Sequence, residues 1–493
     1  MATSPTPGCS EFVDADTLRT QFAFSMSAMY RAEVPLYSDL VNMVRDINEV
    51  TLQQRDGENL TTSAALRTNI DRLTLERHCA IRLGTPYEIR TVKRIFIILG
   101  MHPVGYYDLS VAGLPMHATC FRPKEVSSLD RNPFRVFTTL LRPELIESEK
   151  ARQLCLALLG ERKIFSDSLL EMLGIAEAQG GKLTQEQAEV FISEALLTFS
   201  WRPIAEATFS QYNILKAENP ILADIACFQS AHINHLTPRT LDISAAQSAM
   251  RAAGMAVKSR IEGPPPRQCP ILLRQTSFLA LEEAVRFISD ENISDAPSSL
   301  LPQRSLIEAS HKARFGEIEE RGAAVTVKGR KLYDKLLGEG LAKAAGASPE
   351  DADSIVAETF RSYPDNWAEL RKQGLIYVKF ECTKKQASSP TKRSDGESLI
   401  ERLITDGIVE ASPITYEDFL PLSAAGIFQS NLQRADGGSA TIDLKQPSAD
   451  LKGLEKAIQG KLLDADEWYA HIQLQSLEAV ARGLSLAKEQ LLV

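Results

Sequence analysis

Residues 76–84, ERHCAIRLG, decide how the rest of the chain is read. As a strand, their period of two puts His78, Ala80 and Arg82 on one face, so an imidazole and a guanidinium would share one pocket wall. The alternative is a strand-end histidine with Arg82 in a structural salt bridge. Three similar stretches follow: PVGYYDLS (103–110), MHATCFRP (116–123) and FRVFTTLL (134–141). Each is short, rich in aromatic or branched residues and bounded by Gly or Pro, so a sheet is predicted here.

The surroundings are helical. Residues 14–34 and 36–54 carry apolar positions at three-to-four spacing around Pro35, which predicts two helices or one broken helix. Helical periodicity returns over 147–228, including EKARQLCLALLGER and QEQAEVFISEALLTF, and reads as an insertion between two sets of strands. Strand candidates resume at HINHLTP (232–238), CPILLRQ (269–275), RFGEIEER (314–321) and IYVKFECT (376–383). Helices are expected between them at 243–254, 328–345 and 349–362. This predicts an α+β fold without regular βαβ alternation. Loops rich in Pro, Gly, Ser or charge fall at 262–268, 384–397 and 434–450. A main unit over 12–440 and a helical C-terminal segment over 441–493 are expected.

Composition narrows the function. Lys and Arg number 55 against 64 Asp and Glu, and the net charge of -9 argues against a general nucleic-acid or anionic-membrane role. The longest apolar run, Ile95–Gly100, is far short of a bilayer span, and MATSPTPGCSEFVDADTL has no apolar signal core. The seven cysteines are scattered singly, which argues against a disulfide framework or zinc knuckle. A cytoplasmic protein is expected. No G-x-G-x-x-G follows a strand, and G-x-x-x-x-G-K-[ST], H-E-x-x-H and G-x-S-x-G are absent.

Seven histidines remain to be weighed. His311 and His471 read as surface or hydrogen-bonded structural residues. His232 and His235 lie three apart, so a strand would turn only one inward. His235 shares a face with Thr237 and precedes Pro238, a mark of a strand edge, although His-x-x-His is also common loop decoration. In RFGEIEER, Phe315, Glu317, Glu319 and Arg321 would line one strand face. Three acids in four positions often mean a solvated edge, yet an acid after Phe-Gly in a strand is also how a carboxylate ligand is presented, the glycine giving the backbone room. Two imidazoles and a carboxylate would suit octahedral iron(II) with open positions. No local motif joins His78, His235 and Glu317. Cys79 beside His78 would point to the opposite face, so a Cys/His pair is disfavoured.

Taken together, the segments resemble the 2-oxoadipate dioxygenase/decarboxylase family. The resembling blocks include FSMSAMYRAEVPLYSDLV, ERHCAIRLGT, MHPVGYYDLSVAGLPMHATCFRP, NPFRVFTTLLRPELI, INHLTPRTLDI, LLRQTSF, RFGEIEERGAAVTVKGRKLYD and YEDFLPLSAAGIFQSNL, in the family's order across about 22–432. The resemblance implies a vicinal-oxygen-chelate-like central sheet or partial barrel with extensive helical additions. It implies Fe(II) ligation by His78, His235 and Glu317, and substrate contacts from Arg82, Leu422 and Ser423. The reaction implied is 2-oxoadipate plus O2 to D-2-hydroxyglutarate plus CO2, in lysine catabolism. RFGEIEERG is also similar to the F-x-E-[IV]-x-Q-R strand of 4-hydroxyphenylpyruvate dioxygenase-like enzymes, with Glu320 in place of Gln. Cys79 stands where the family usually has Gly. Alternatives are a metal-dependent isomerase, lyase or hydrolase on the same scaffold, or a non-catalytic interaction protein that keeps the fold.

Overall fold

The computed structural model describes residues 12–57, 70–290, 305–312, 314–384, 398–420 and 449–491. Its strands are β1 (Arg77–Leu83), β2 (His102–Asp108), β3 (Met116–Arg122), β4 (Arg135–Leu141), β5 (Ile204–Thr208), β6 (Leu236–Pro238), β7 (Leu273–Ser277), β8 (Glu282–Ile288), β9 (Leu306–Lys312), β10 (Glu317–Arg321), β11 (Val378–Cys382) and β12 (Val409–Pro413). They form a mixed α+β structure with several small sheets, and no closed barrel occurs among the described residues.

The largest sheet has the order β2-β3-β4-β1-β6. β1 runs parallel to β4, placing His78 beside Arg135, and antiparallel to β6, placing His78 beside Thr237. Beyond β6 the wall continues through one bridge, Arg239 to Glu319, closed by a hydrogen bond from Thr240 N to Glu319 O at 2.7 Å. β10 then pairs antiparallel with β7, Glu317 opposite Ser277 and Glu319 opposite Gln275. This bridge brings β1 and β10, far apart in the chain, close enough for His78 Nδ1 to lie 2.8 Å from Glu319 Oε2.

Alternation along β1 divides the core as period two requires. Cys79, Ile81 and Leu83 pack with Phe22 and Met26 of helix Ala15–Glu33 and with Ile89 and Phe96 of helix Pro86–Ile98. Ala80 joins Phe137, Ala118, Tyr107 and Phe419 on the other side. Helix Pro86–Ile98 starts sharply because Thr85 and Glu88 form a capping box with Pro86 in the first turn. Helices Ala15–Glu33 and Leu36–Gly57 are separate, so Pro35 divides two helices. No described helix is long and apolar enough to cross a membrane.

HINHLTP is strand only over β6. Its earlier part bonds in turn to two elements, Ile233 N to Phe199 O and Asn234 N to Ala80 O, which prevents a regular ladder. The insertion supplies helices Glu149–Glu161, Asp167–Ala178, Gln185–Phe199, Phe209–Glu218 and Pro220–Ala226, and also β5, which adds to β8 and β9. The C-terminal helix Ala465–Gly483 is tied to the body: the Tyr469 hydroxyl donates to Asp418 Oδ2 and accepts from Glu417 N, both at 2.7 Å.

Gly316 occupies a position with no room for a side chain. A Cβ there would lie 2.1 Å from Phe278 Cε1, while its carbonyl accepts from Phe278 N at 2.9 Å. Gly316→Ala is expected to cost about 1–3 kcal/mol through overpacking, read as a lower melting temperature. Because Glu317 is the next residue, metal content should fall with it.

Candidate metal centre

His78, His235 and Glu317, far apart in the sequence, converge: one possible ligand atom from each lies within 4.8 Å of the others. All three are at most 3% exposed. His78 Nε2 is 2.9 Å and His235 Nε2 3.7 Å from Glu317 Oε1. That oxygen also accepts from Thr237 Oγ1 at 3.0 Å and Gln275 Nε2 at 2.9 Å.

Their placement follows from three elements meeting. β1 presents His78 and β10 presents Glu317, while His235 ends the irregular stretch before β6. Phe315 N bonds to Asn234 O at 2.9 Å, joining the residue before His235 to the residue two before Glu317. The buried Tyr30 hydroxyl reaches the same join, 2.7 Å from Phe315 O and 3.0 Å from Asn234 O. The first helix therefore clips two of the three donors together.

The donor set fits a divalent cation. No arginine or lysine forms an ion pair with Glu317 among the described residues, and its Oε2 and His235 Nδ1 lack hydrogen-bond partners despite complete burial. A buried carboxylate without a cation is costly. Burial opposes its charge, yet His235 and the His78 hydrogen bond hold the Glu317 carboxyl below the usual range. Burial brings His235 down to about 4, which keeps it neutral and able to donate a lone pair at neutral pH.

His78 is also held from behind. Its Nδ1 lies 2.8 Å from Glu319 Oε2, and Glu319 Oε1 accepts from Arg321 Nε at 2.8 Å. Burial opposes a charge on His78, but Glu319 and hydrogen bonds to both carboxylates outweigh it and raise its pKa. A carboxylate on the outer nitrogen of a ligand histidine fixes the ring's orientation and raises its basicity. The three acids of RFGEIEER are thus not a solvated edge. Glu317 and Glu319 are both 0% exposed, while Glu320 points away and pairs with Arg274 at 2.9 Å.

Phe419 packs on His78 at 4.9 Å and Phe315 on His235 at 4.8 Å between ring centroids. These rings shield the imidazoles from water. Cys79 points to the opposite core, and burial pushes its thiol pKa up. His471 sits on an exposed helix position. Arg82 shares the His78 face and pairs with Asp224. Leu422 and Ser423 lie outside the described residues.

Gln275 and Asp224 went unread in the sequence. Gln275 carries no signal without the pairing of β7 with β10. Asp224 did carry one, as a lone acid within the apolar run ILADIACF (221–228), because a charge so placed must find partners.

Fold and site together define the class: an α+β protein with a buried set of two imidazoles and one carboxylate, the donor set of a divalent-metal centre that leaves positions open. The chain belongs to the 2-oxoadipate dioxygenase/decarboxylase family, which it matches over residues 22–431. It is 43% identical to a 2-oxoadipate dioxygenase/decarboxylase of Pseudomonas putida over 487 residues, 97% of this chain and 99% of that one. It is 44% identical to the Escherichia coli protein of the same name, over 94% of this chain and 98% of that one. The fold matches the crystal structure of hydroxyglutarate synthase from Pseudomonas putida in complex with 2-oxoadipate, with a TM-score of 0.82, 41% identity, and 97% and 100% of the two chains covered.

Replacing any of His78, His235 or Glu317 by Ala should abolish stable binding of a divalent metal while leaving the protein folded. Glu319→Gln should weaken binding by about 10- to 100-fold, the usual cost of losing an outer partner. Elemental analysis after anaerobic iron(II) loading, with circular dichroism for folding, measures both. Wild-type metal content in Glu317→Ala would transfer the ligand role to Glu319.

Proposed function

We propose that this chain is a non-heme Fe(II) dioxygenase/decarboxylase that converts 2-oxoadipate and O2 to D-2-hydroxyglutarate and CO2 in lysine catabolism. His78, His235 and Glu317 are the iron ligands. Arg82 binds substrate, with Leu422 and Ser423 as further contacts. The observation that carries the reading is the buried Glu317 carboxylate, met by two histidines, Thr237 and Gln275 but, among the described residues, paired with no arginine or lysine. The names of the relatives and the substrate in the Pseudomonas putida complex support the choice of reaction.

Iron(II) in this site would supply a Lewis acid for the 2-oxo-carboxylate and the electrons that activate O2. The protein's own part is positioning. One anionic and two neutral ligands leave a dication with net positive charge, which suits an anionic chelating substrate. Glu319 holds the His78 ring, while Thr237 and Gln275 hold one oxygen of Glu317. Phe419 and Phe315 keep bulk water from the imidazoles. Arg82, farther along the same face of β1, meets the distal carboxylate of the six-carbon diacid.

We read the run of strands from β2 to β7 as a vicinal-oxygen-chelate-like partial barrel, supported by the bridge that continues the main sheet into β10 and β7. Residues 12–440 form the catalytic unit with the insertion at 147–228, and 441–493 a C-terminal helical segment. The proposed compartment is the cytoplasm, in keeping with six described cysteines that are all free.

Anaerobic iron(II) loading followed by O2 uptake with 2-oxoadipate tests the assignment. No substrate-dependent uptake would overturn it in favour of a hydrolase, isomerase, lyase or binding protein. With isotopic O2, one labelled oxygen should enter the new hydroxyl and one the new carboxylate of the product, read by mass spectrometry. A hydroxyl labelled only from water, after control for exchange, would contradict the reaction.

Arg82→Lys and Arg82→Ala should retain iron yet lose about 10- to 100-fold in efficiency on 2-oxoadipate, the cost of one charge-assisted pair. The wild type should turn over 2-oxohexanoate poorly. Equal losses by the variants on both substrates would remove Arg82 from the distal carboxylate.

A further inference from the structure

A second group of two histidines and a carboxylate lies farther along the β1 wall. Asp224, in helix Pro220–Ala226, is 2% exposed. Its Oδ2 accepts from Arg82 Nη1 at 2.5 Å. Its Oδ1 is 2.9 Å from His311 Nε2 and 3.3 Å from His232 Nε2. His311 Nδ1 lies 2.9 Å from the Tyr212 hydroxyl, and the Trp201 ring stacks on His311 at 6.0 Å.

The two groups share donor types and differ in charge. Glu317 has no arginine against it among the described residues, whereas Arg82 already supplies Asp224 with a cation. Asp224 therefore serves as an anchor rather than a metal ligand. Burial opposes its ionisation, but Arg82 and the two histidines outweigh burial and hold its pKa well below the usual value.

An ionised carboxylate can only accept, so His311 Nε2 donates to it, and with the imidazole neutral His311 Nδ1 then accepts from Tyr212. The chain of donors thus has one direction, from Tyr212 through His311 to Asp224, with Arg82 donating from the other side. Every member is buried, and they come from separate elements: Arg82 from β1, His311 from β9, and Tyr212 and Asp224 from the insertion. The guanidinium cannot swing without breaking a buried charged pair.

We propose that Asp224, held by His311 and Tyr212, is a positioning residue that fixes Arg82 at one distance from the metal ligands and so sets the length of 2-oxo diacid the site accepts. This rests on the reading of Arg82 as the partner of the distal carboxylate. It gives the helical insertion a chemical task, since two of the four groups in the chain belong to it. A fixed guanidinium favours the six-carbon diacid, because a five-carbon diacid stops short of it and a seven-carbon diacid must buckle.

The test compares kcat and KM on 2-oxoglutarate, 2-oxoadipate, 2-oxopimelate and 2-oxohexanoate for the iron-loaded wild type and for Asp224→Asn, His311→Phe, His311→Gln and Arg82→Lys. Asp224→Asn keeps the side-chain shape but removes the charge. It should raise KM for 2-oxoadipate by about 10- to 100-fold, the range for losing a hydrogen bond to a charged group, with a smaller change in kcat. The preference for six carbons over five and seven should shrink, and 2-oxohexanoate should lose less than the diacid. His311→Phe should shift the preference in the same direction. His311→Gln, whose amide can still donate to Asp224, should retain more of the preference than His311→Phe.

A merely structural role would lower all four substrates together, and that result overturns the proposal. An unchanged length preference in folded Asp224→Asn also overturns it. If Asp224→Asn does not fold, the two His311 variants decide, and equal preference in both would refute the positioning chain. The underlying reading fails separately: the wild type would not turn over 2-oxoadipate, or Arg82→Lys would lose equally on 2-oxoadipate and 2-oxohexanoate.

Discussion

A carboxylate buried at 0% exposure, whose hydrogen-bonding partners among the described residues are imidazole, hydroxyl and amide, is the constraint around which the molecule is arranged. Water cannot stabilise Glu317, and no arginine or lysine pairs with it among the described residues. In a low-dielectric interior such a group must find a cation or lose its charge. Each element that meets there serves this point: β1 for His78, the Tyr30 clip for His235, β10 for Glu317 and β7 for Gln275.

Behind His78, His235 and Glu317 the opposite solution is used. Glu319 pairs with Arg321, while Glu76 pairs with Arg135 at 2.8 Å and Arg239 at 2.9 Å. Glu417 binds Arg72 at 2.6 Å and also Arg135, and Arg122 forms a fork with Asp418. Buried pairs of this kind add little net stability, because desolvation offsets much of the attraction. Breaking one leaves a bare charge, so they act as geometric fixatives. Here they bind together the helix before β1, β4, the segment after β6, β10 and residues 416–418. The network thus holds the Arg239–Glu319 join through which the two halves of the site meet.

The same logic extends to the insertion. Asp224 is satisfied by Arg82 and His311, so helices that look peripheral in the chain order reach the wall carrying the proposed substrate arginine. The C-terminal helix does likewise through Tyr469 and Asp418. Both additions are held by polar groups set in apolar surroundings, where one missing partner is expensive.

Local pattern was enough for most of the elements, for the shared face of His78 and Arg82, and for the common face of Glu317 and Glu319, because strand period is a property of neighbours in sequence. It also placed Cys79 and Glu320 away from that face. The blocks of family resemblance singled out His78, His235 and Glu317 before any geometry was known. Only the tertiary structure decided that these three meet, since nothing local encodes the β1–β6 pairing or the single bridge into β10. It also decided that Glu319 backs His78 rather than facing solvent, that HINHLTP is strand only at its end, and that His311, read as a surface or structural residue, supports Asp224. The physical reason is common to all of these: a buried charge takes its meaning from what lies within about 3–4 Å of it, and those neighbours come from chain segments that sequence spacing does not relate.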